Sequence, residues 1–351
     1  MNYEINDIRE SKAFKGITFS GFKKTDVQKE YIKCVLSSKI EPAFFWACEL
    51  ICAGHFKDLW NLNIFIFIKY IHIGNPKLAV YLDRRLTAFV GIVKNGYQTN
   101  ELALRNNEKV RKLFAEIICI LSSSKQKHPY EEIKITRNDL NIETLTEKLK
   151  SPDLSYGKLC FKDDPKPLFV PYNELLFSLT ETKNTIDGCF WISWMIEYDC
   201  FCRNKKIKLN AERRTYVDGK DQQNIVWMIW DAFFHISKTK EQIVITIINS
   251  LLNIFTKRYS YPENKRKIFI LYFIVSLLTE EHNYNINIIE NSEKINNTVN
   301  NVNSIYKQVK ANEISPNTDY LFQNVKQSNL EKTIERLEKM ESLNNTFIPR
   351  L

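Results

Sequence analysis

Apolar side chains recur along most of this chain at spacings of three and four residues, which is the period of amphipathic α-helices. The first such face follows Thr25, a suitable N-cap, and comprises Val27, Tyr31, Cys34 and Val35. Pro42 suits the first turn of a second helix, and Gly54 suits its end, where a left-handed residue is favoured. The pattern predicts four helices within residues 22–90, joined by short links, and therefore antiparallel helical hairpins.

A longer helix is predicted at 100–123, before the connecting segment. After residue 170 the helical pattern returns, and it predicts helices at 172–182, 185–203, 222–237, 239–259 and 262–281. The last of these is apolar nearly all round, which is typical of a helix at the centre of a core. We therefore predict an all-α protein with two helical lobes.

The predicted organisation has six parts. They are an N-terminal arm at 1–21, an N-terminal helical lobe at 22–124, a connecting segment at 125–170, a C-terminal helical lobe at 171–282, an asparagine-rich linker at 283–328, and a tethered amphipathic helix with its tail at 329–351. The connecting segment contains four of the ten prolines. In 283–303, nine of 21 residues are asparagine, so this stretch is expected to bury too little apolar surface to fold alone and to form either a linker or a weakly ordered helix.

The tethered helix has one apolar side. It is formed by Leu330, Ile334, Leu337 and Met340. These residues predict a partner-binding face, and the helix is expected to dock either on its own body or on another protein.

Composition narrows the class of protein. Hydrophobic residues make up 44% of the 351 residues, whereas only 9 glycines and 10 prolines occur, which favours long helices over a many-turned β architecture. The polar start of the sequence has no signal-peptide pattern, and the longest apolar run is about half of the ~20 residues that cross a bilayer. We therefore expect no membrane span and read the eight cysteines as reduced, mostly buried thiols of an intracellular protein.

Motifs for catalysis and cofactor binding are missing from the sequence. Neither Gly157-Lys158 nor Gly219-Lys220 continues into the Ser or Thr of a phosphate-binding loop, and no dinucleotide fingerprint occurs. The cysteine groups Cys48/Cys52/His55 and Cys200/Cys202 lack paired zinc-knuckle spacing and are interpreted as core thiols. The acids Asp187, Glu197, Asp199 and Asp231 lie among tryptophans, where acid–base chemistry is the less favoured alternative to simple ion pairs. We predict a protein that is not an enzyme and holds no metal or cofactor.

One basic stretch is the candidate nucleic-acid-binding site. It comprises Arg203, Lys205, Lys206, Lys208, Arg213 and Arg214, and later helices of the same lobe add Lys257, Arg258, Lys265, Arg266 and Lys267. If these residues converge, they form a surface suited to phosphate backbones, and the net charge of +9 permits such a partner. The alternative is an ordinary solvated loop with helix ends whose cations complement the helix dipole.

The stretch from Ile40 to Trp60, with Lys69–Ala79 and Tyr81-Leu82, resembles an uncharacterised protein family of giant nucleocytoplasmic large DNA viruses. The resemblance covers mainly residues 20–90. The start of the stretch, Glu41-Pro42-Ala43 followed by aromatics and Gly54, is more remotely similar to the helical collar of clamp-loader ATPases. This chain lacks the ATPase module that accompanies the collar.

These features together give two expectations for the role of the chain. The first is a non-enzymatic viral adaptor or scaffold that joins viral or host proteins, in replication or expression of the viral genome, in the host cytoplasm or viral factory. The alternative is a structural component of the virion, such as a minor capsid or core protein. The oligomeric state is left open.

Overall fold

The computed structural model describes residues 4–289, 292–300 and 302–313. In these residues the chain is helical and contains no β-strand; a single antiparallel bridge joins Ile17 to Lys23 in the N-terminal arm. The all-α class predicted from apolar periodicity is therefore confirmed for the described part of the chain.

The helices up to residue 124 are α1 (Lys24–Leu36), α2 (Ile40–Cys52), α3 (Phe56–Ile66), α4 (Leu78–Ile92), α5 (Glu101–Asn106) and α6 (Glu108–Ser123). The later helices are α7 (Ser155–Lys158), α8 (Phe169–Thr180), α9 (Thr185–Asn204), α10 (Val226–Ser237), α11 (Gln242–Thr256), α12 (Glu263–Arg266), α13 (Ile268–Thr279), α14 (Ser292–Asn300) and α15 (Val302–Lys310). Two π-helical turns occur at Phe67–Ile71 and Val93–Tyr97. Short 3-10 turns occur at His72–Gly74, Asn138–Leu140, Ile142–Lys148, Lys166–Leu168 and Gly219–Gln223.

Asparagine caps set several helix boundaries. The single helix predicted at 100–123 is divided, because the side chain of Asn107 accepts a hydrogen bond from the N–H of Val110 and so starts α6. Asn184 caps α9 in the same way, accepting from the N–H groups of Ile186 and Asp187. Thr25 was predicted to cap the first helix, but α1 begins at Lys24 without a side-chain cap.

The helix predicted at 262–281 is divided into α12 and α13, and its predicted central position holds for α13, since every residue of α13 is buried. It packs against α8, α9, α10 and α11. The contact with α9 is close at Gly188, where an added Cβ would lie 2.9 Å from Val275. No helix of the described residues is both long and apolar enough to cross a membrane.

Buried residues from both predicted lobes belong to one hydrophobic cluster. The second half of the chain meets the first where α11 packs along α4, and there Asn253 Nδ2 donates to Asp83 Oδ2 at 3.0 Å. The π-helical turn at Phe67–Ile71 also contacts α13. The described helices of the two lobes therefore share a core, and their division into separate folding units stays a prediction.

The described residues of the asparagine-rich segment contain α14 and α15, which agrees with the weakly ordered helix that was one of its two predicted forms. Both helices return to the N-terminal half, where α14 packs on α6 and α15 packs on α2 and α6. The buried face of α15 is Val302, Ile305, Tyr306 and Val309. These four residues are spaced at intervals of three, one and three positions, so a narrow apolar stripe suffices to dock a helix that is polar on every other side.

Candidate functional site

The C-terminal end of α9 is the part of the structure around which the basic residues gather. Lys205 Nζ lies 4.2 Å from the ring centroid of Phe201, and its side chain is exposed. Lys206 follows the helix in a left-handed conformation with φ of 63°, and Lys208 is exposed two residues later. These cations therefore project into solvent beyond the end of α9.

A second element adds charge to this end of α9. Lys265 of α12 forms an ion pair at 2.5 Å with Glu197, and it also lies beside Cys200. Arg266, the next residue, is exposed and pairs with Glu263 at 3.1 Å. Since Glu197 and Cys200 lie on the last turns of α9, Lys265 is next to the segment that carries Lys205. We call Lys205, Lys206, Lys208, Lys265 and Arg266 the basic surface.

The side chain of Arg203 contacts three neighbouring residues near the C-terminal end of α9. Its Nε lies 3.1 Å from Asp199 Oδ2, its Nη2 donates to Asn224 Oδ1 at 3.0 Å, and its guanidinium carbon lies 3.8 Å from the centroid of the Tyr261 ring. Burial raises the pKa of Asp199, and the charge of Arg203 opposes that rise. Because Asp199, Asn224 and Tyr261 engage its guanidinium, Arg203 positions the helix end and does not extend the basic surface.

Two of the predicted binding residues are largely covered: Arg214 is buried and Lys267 is partly buried. The side chain of Arg214 is 3% exposed and bridges two carboxylates, with Nη2 2.7 Å from Asp164 Oδ2 and Nε 2.8 Å from Asp231 Oδ2. Lys267 Nζ donates to the carbonyl of Phe255 at 2.9 Å, near the end of α11, and burial lowers its pKa. Arg214 and Lys267 are therefore engaged by partners inside the protein, and their contact with nucleic acid stays a prediction.

The other predicted cations are exposed at separate positions. Arg213 lies on the loop after α9. Lys257 and Arg258 follow α11, and Arg258 adopts a left-handed conformation with φ of 49°. Among the described carboxylates, none is within ion-pair distance of Lys205, Lys206, Lys208, Arg213, Lys257 or Arg258.

The four acids considered for acid–base chemistry each have a cationic partner. Asp187 pairs with Lys150 at 2.5 Å, Glu197 with Lys265, Asp199 with Arg203, and Asp231 with both Arg214 and Lys162. Glu197 and Asp199 lie near the end of α9, whereas Asp187 is in its first turn and Asp231 is on α10. The alternative of simple ion pairs, which the sequence favoured, accounts for them.

The cysteine groups also have an ordinary explanation. Cys48 and Cys52 are fully buried on α2, and burial raises the pKa of the Cys48 thiol. Cys202 is buried and Cys200 is half-buried at the end of α9. In the described part of the chain no three His, Cys, Asp or Glu side chains are grouped so that they could hold a metal ion.

Two residues of the site were not predicted from the sequence. Tyr261, which stacks on Arg203, had no signal except its place before Pro262. Asp164, the main partner of Arg214, lies in a proline-rich segment whose pattern predicted only a connection. The partner-binding residues Leu330, Ile334, Leu337 and Met340 lie outside the described residues.

No protein-family model, no curated protein and no solved structure matches this chain. The viral family and the clamp-loader collar therefore remain resemblances of sequence stretches alone.

Proposed function

We propose that this chain is a non-enzymatic adaptor of a large DNA virus, which joins a protein assembly acting on the viral genome and contacts nucleic acid through the basic surface. One observation carries the proposal. The exposed cations after α9 and those of α12 come from segments some sixty positions apart in the sequence, yet they lie around one helix end. If the cations after α9 belonged only to an ordinary solvated loop, there would be no reason for the cations of α12 to lie beside them.

The make-up of the basic surface fits a phosphate backbone better than a specific anionic peptide. Four of its five members are lysines, which act as mobile point charges, and the side chains of Phe201 and Ile207 are accessible among them. Lysine contacts to phosphates position a protein on nucleic acid without reading its sequence. The proposed interaction is therefore independent of sequence and strongly salt-dependent.

Fluorescence anisotropy with labelled random-sequence DNA and RNA tests the proposal in purified protein. The variant Lys205→Gln/Lys206→Gln/Lys208→Gln is expected to lower the slope of log K against log salt by about 2–3, because each lost phosphate contact removes about 0.7–0.9. A matched variant, Lys29→Gln/Lys109→Gln/Lys134→Gln, removes the same charge from exposed residues elsewhere. Equal losses in both variants would mean that only the net charge matters, and the proposal would be abandoned.

Cross-linked purification of the tagged protein from infected cells tests the adaptor role. Recovery of replication or expression factors, partly lost after nuclease treatment, is expected. Recovery of capsid and core proteins that is insensitive to nuclease would instead make the chain a structural component of the virion.

A further inference from the structure

Three aromatic rings form a partly exposed patch where α2 meets the segment before α1. The ring of Phe22 lies 5.6 Å from that of Trp46 at an interplanar angle of 81°, and the ring of Phe45 lies 5.1 Å from Trp46 at 75°. Phe22 is 45% exposed, and the other two rings are half-buried. We call Phe22, Phe45 and Trp46 the aromatic patch. Contiguous apolar surface of this kind marks a contact site on many proteins.

The chain itself returns to this side of the molecule. In α15, the ring of Tyr306 is fully buried, 3.9 Å from the guanidinium carbon of Arg111 and 6.1 Å from the ring of Phe44. After α15, Asn312 Nδ2 donates to Ser20 Oγ at 2.9 Å, and Glu313 Oε1 accepts from the N–H of Asp7 at 2.7 Å. The C-terminal part of the chain is thus already docked on the N-terminal half when the described residues end.

The end of the described chain is close to the aromatic patch. Ser20, which Asn312 contacts, precedes Phe22 by two residues, and its own N–H donates at 2.9 Å to Glu49, one helical turn after Trp46. The remaining residues, 314–351, include the predicted amphipathic helix at 329–343. The connecting residues 314–328 can span up to roughly 50 Å when extended, so the helix reaches the patch without strain.

The charges of the two surfaces are complementary. On a helix over 329–343, Glu331, Glu335 and Glu338 each follow an apolar residue by one position and so lie along one flank of the apolar side. Exposed lysines border the patch: Lys23 is next to Phe22, and Lys33 and Lys39 lie close to the Cys34 thiol, which hydrogen-bonds to Trp46.

We propose that residues 329–343 dock as a helix on the aromatic patch of the same molecule, with Leu330, Ile334 and Leu337 against the rings and the acidic flank towards the bordering lysines. The proposal does not depend on the function of the basic surface. It assigns the tethered helix to its own body, which is one of the two roles that its sequence left open.

Photo-cross-linking in the full chain tests the docking. A benzophenone amino acid replaces Phe22, and a matched protein carries it at Leu159, which is 64% exposed on a different part of the surface. Mass spectrometry of a mixture of isotopically light and heavy protein separates cross-links within one molecule from those between molecules. The expected result is a cross-link from position 22 to residues 329–343 within one molecule, and none to that segment from position 159.

Two tail variants decide whether the apolar side is responsible. Leu337→Glu is expected to reduce the cross-link at least tenfold, whereas Lys332→Glu, on the opposite side of the predicted helix, leaves it unchanged. Cross-links between light and heavy molecules would show that a second copy covers the patch, and would overturn the proposal. A missing cross-link, or one that is insensitive to Leu337→Glu, would overturn it as well. Both substitutions lie outside the described residues, and thermal unfolding midpoints equal to that of the unaltered protein confirm that the body is intact.

Discussion

Replacement of Arg214 by methionine should destabilise the protein far more than replacement of its neighbour Arg213. Among the described residues, Arg214 is the one cation that forms an ion pair with Asp164, whose side chain is 0% exposed, and the pair is bidentate. Methionine has a similar length but no charge, so Asp164 would keep only the N–H donors of Glu212 at 3.0 Å and Lys162 at 3.3 Å. A buried charge that loses its partner typically costs about 3–5 kcal/mol.

The second carboxylate limits this cost. Asp231 retains the hydroxyl of Tyr216 at 2.7 Å and Lys162 Nζ at 3.2 Å after Arg214 is removed. It is also more exposed than Asp164, at 14% against 0%. We therefore assign most of the loss to Asp164 and expect about 4 kcal/mol in total for Arg214→Met.

Urea unfolding at pH 7 measures the loss. Tryptophan fluorescence is a suitable signal, because Trp230 is buried next to Asp231 on α10. The exposed control Arg213→Met should change the free energy of unfolding by no more than about 0.5 kcal/mol. In the double variant Asp164→Asn/Arg214→Met the two costs should not add, with a coupling of roughly 1–3 kcal/mol, because the stranded charge is gone.

A loss in the free energy of unfolding that stays below about 1 kcal/mol for Arg214→Met would refute the stabilising role of Arg214. Additive losses in the double variant would refute the assignment to Asp164 specifically. In that case the two side chains would contribute independently to the free energy of unfolding, and the ion pair between them would not stabilise the fold.

Three further perturbations test other parts of the fold. Burial lowers the pKa of His72 to about 4 from an ordinary 6.5, so between pH 7 and pH 5 the unfolded chain takes up a proton that the folded chain does not. The free energy of unfolding should therefore fall by about 2 kcal/mol over this range. Urea titrations at both pH values measure the fall, which should be smaller in His72→Phe. Gly188→Ala should lower the free energy of unfolding by about 1–3 kcal/mol, because the added Cβ would meet Val275. Gly91→Ala, with open space around it in α4, should raise that free energy by up to about 1 kcal/mol. Shifts of the same sign in the thermal unfolding midpoints of the two variants would contradict this. Tyr306→Ala should release α15 and expose its amide hydrogens to exchange, while Tyr306→Phe should keep them protected, since the ring makes the contacts with Arg111.

The helices were predictable where apolar periodicity was strong, and less so where a single side chain sets a boundary. Nothing in the periodicity of residues 100–123 indicates a break, but Asn107 both ends one helix and caps the next. In 283–303 asparagine is abundant and apolar residues are few, so the sequence did not predict that this stretch packs on the rest of the protein. The stripe formed by Ile305, Tyr306 and Val309 was present in the sequence, yet its significance depends on a groove between α2 and α6 that only the fold supplies.

The candidate site shows the same limit for charged residues. Arg213 and Arg214 are adjacent and chemically identical, but one is exposed and the other is buried against Asp164. That partner lies 50 positions away, in a segment without regular structure. Sequence could therefore identify the basic stretch but not separate its solvent-exposed cations from those that hold the core together.

The contact between the two ends of the described chain has a consequence for biosynthesis. The N–H of Asp7 and the carboxylate of Glu313 are 306 positions apart, and the N-terminal arm is held by this and neighbouring bonds. While the chain is being made, the helices of the first half emerge long before α15 exists to fill the groove between α2 and α6. Until then Phe44 and its surroundings stay uncovered on the nascent chain, at the stage when a growing protein is most prone to aggregate. Nascent chains stalled before residue 302 should therefore engage chaperones that complete chains do not need.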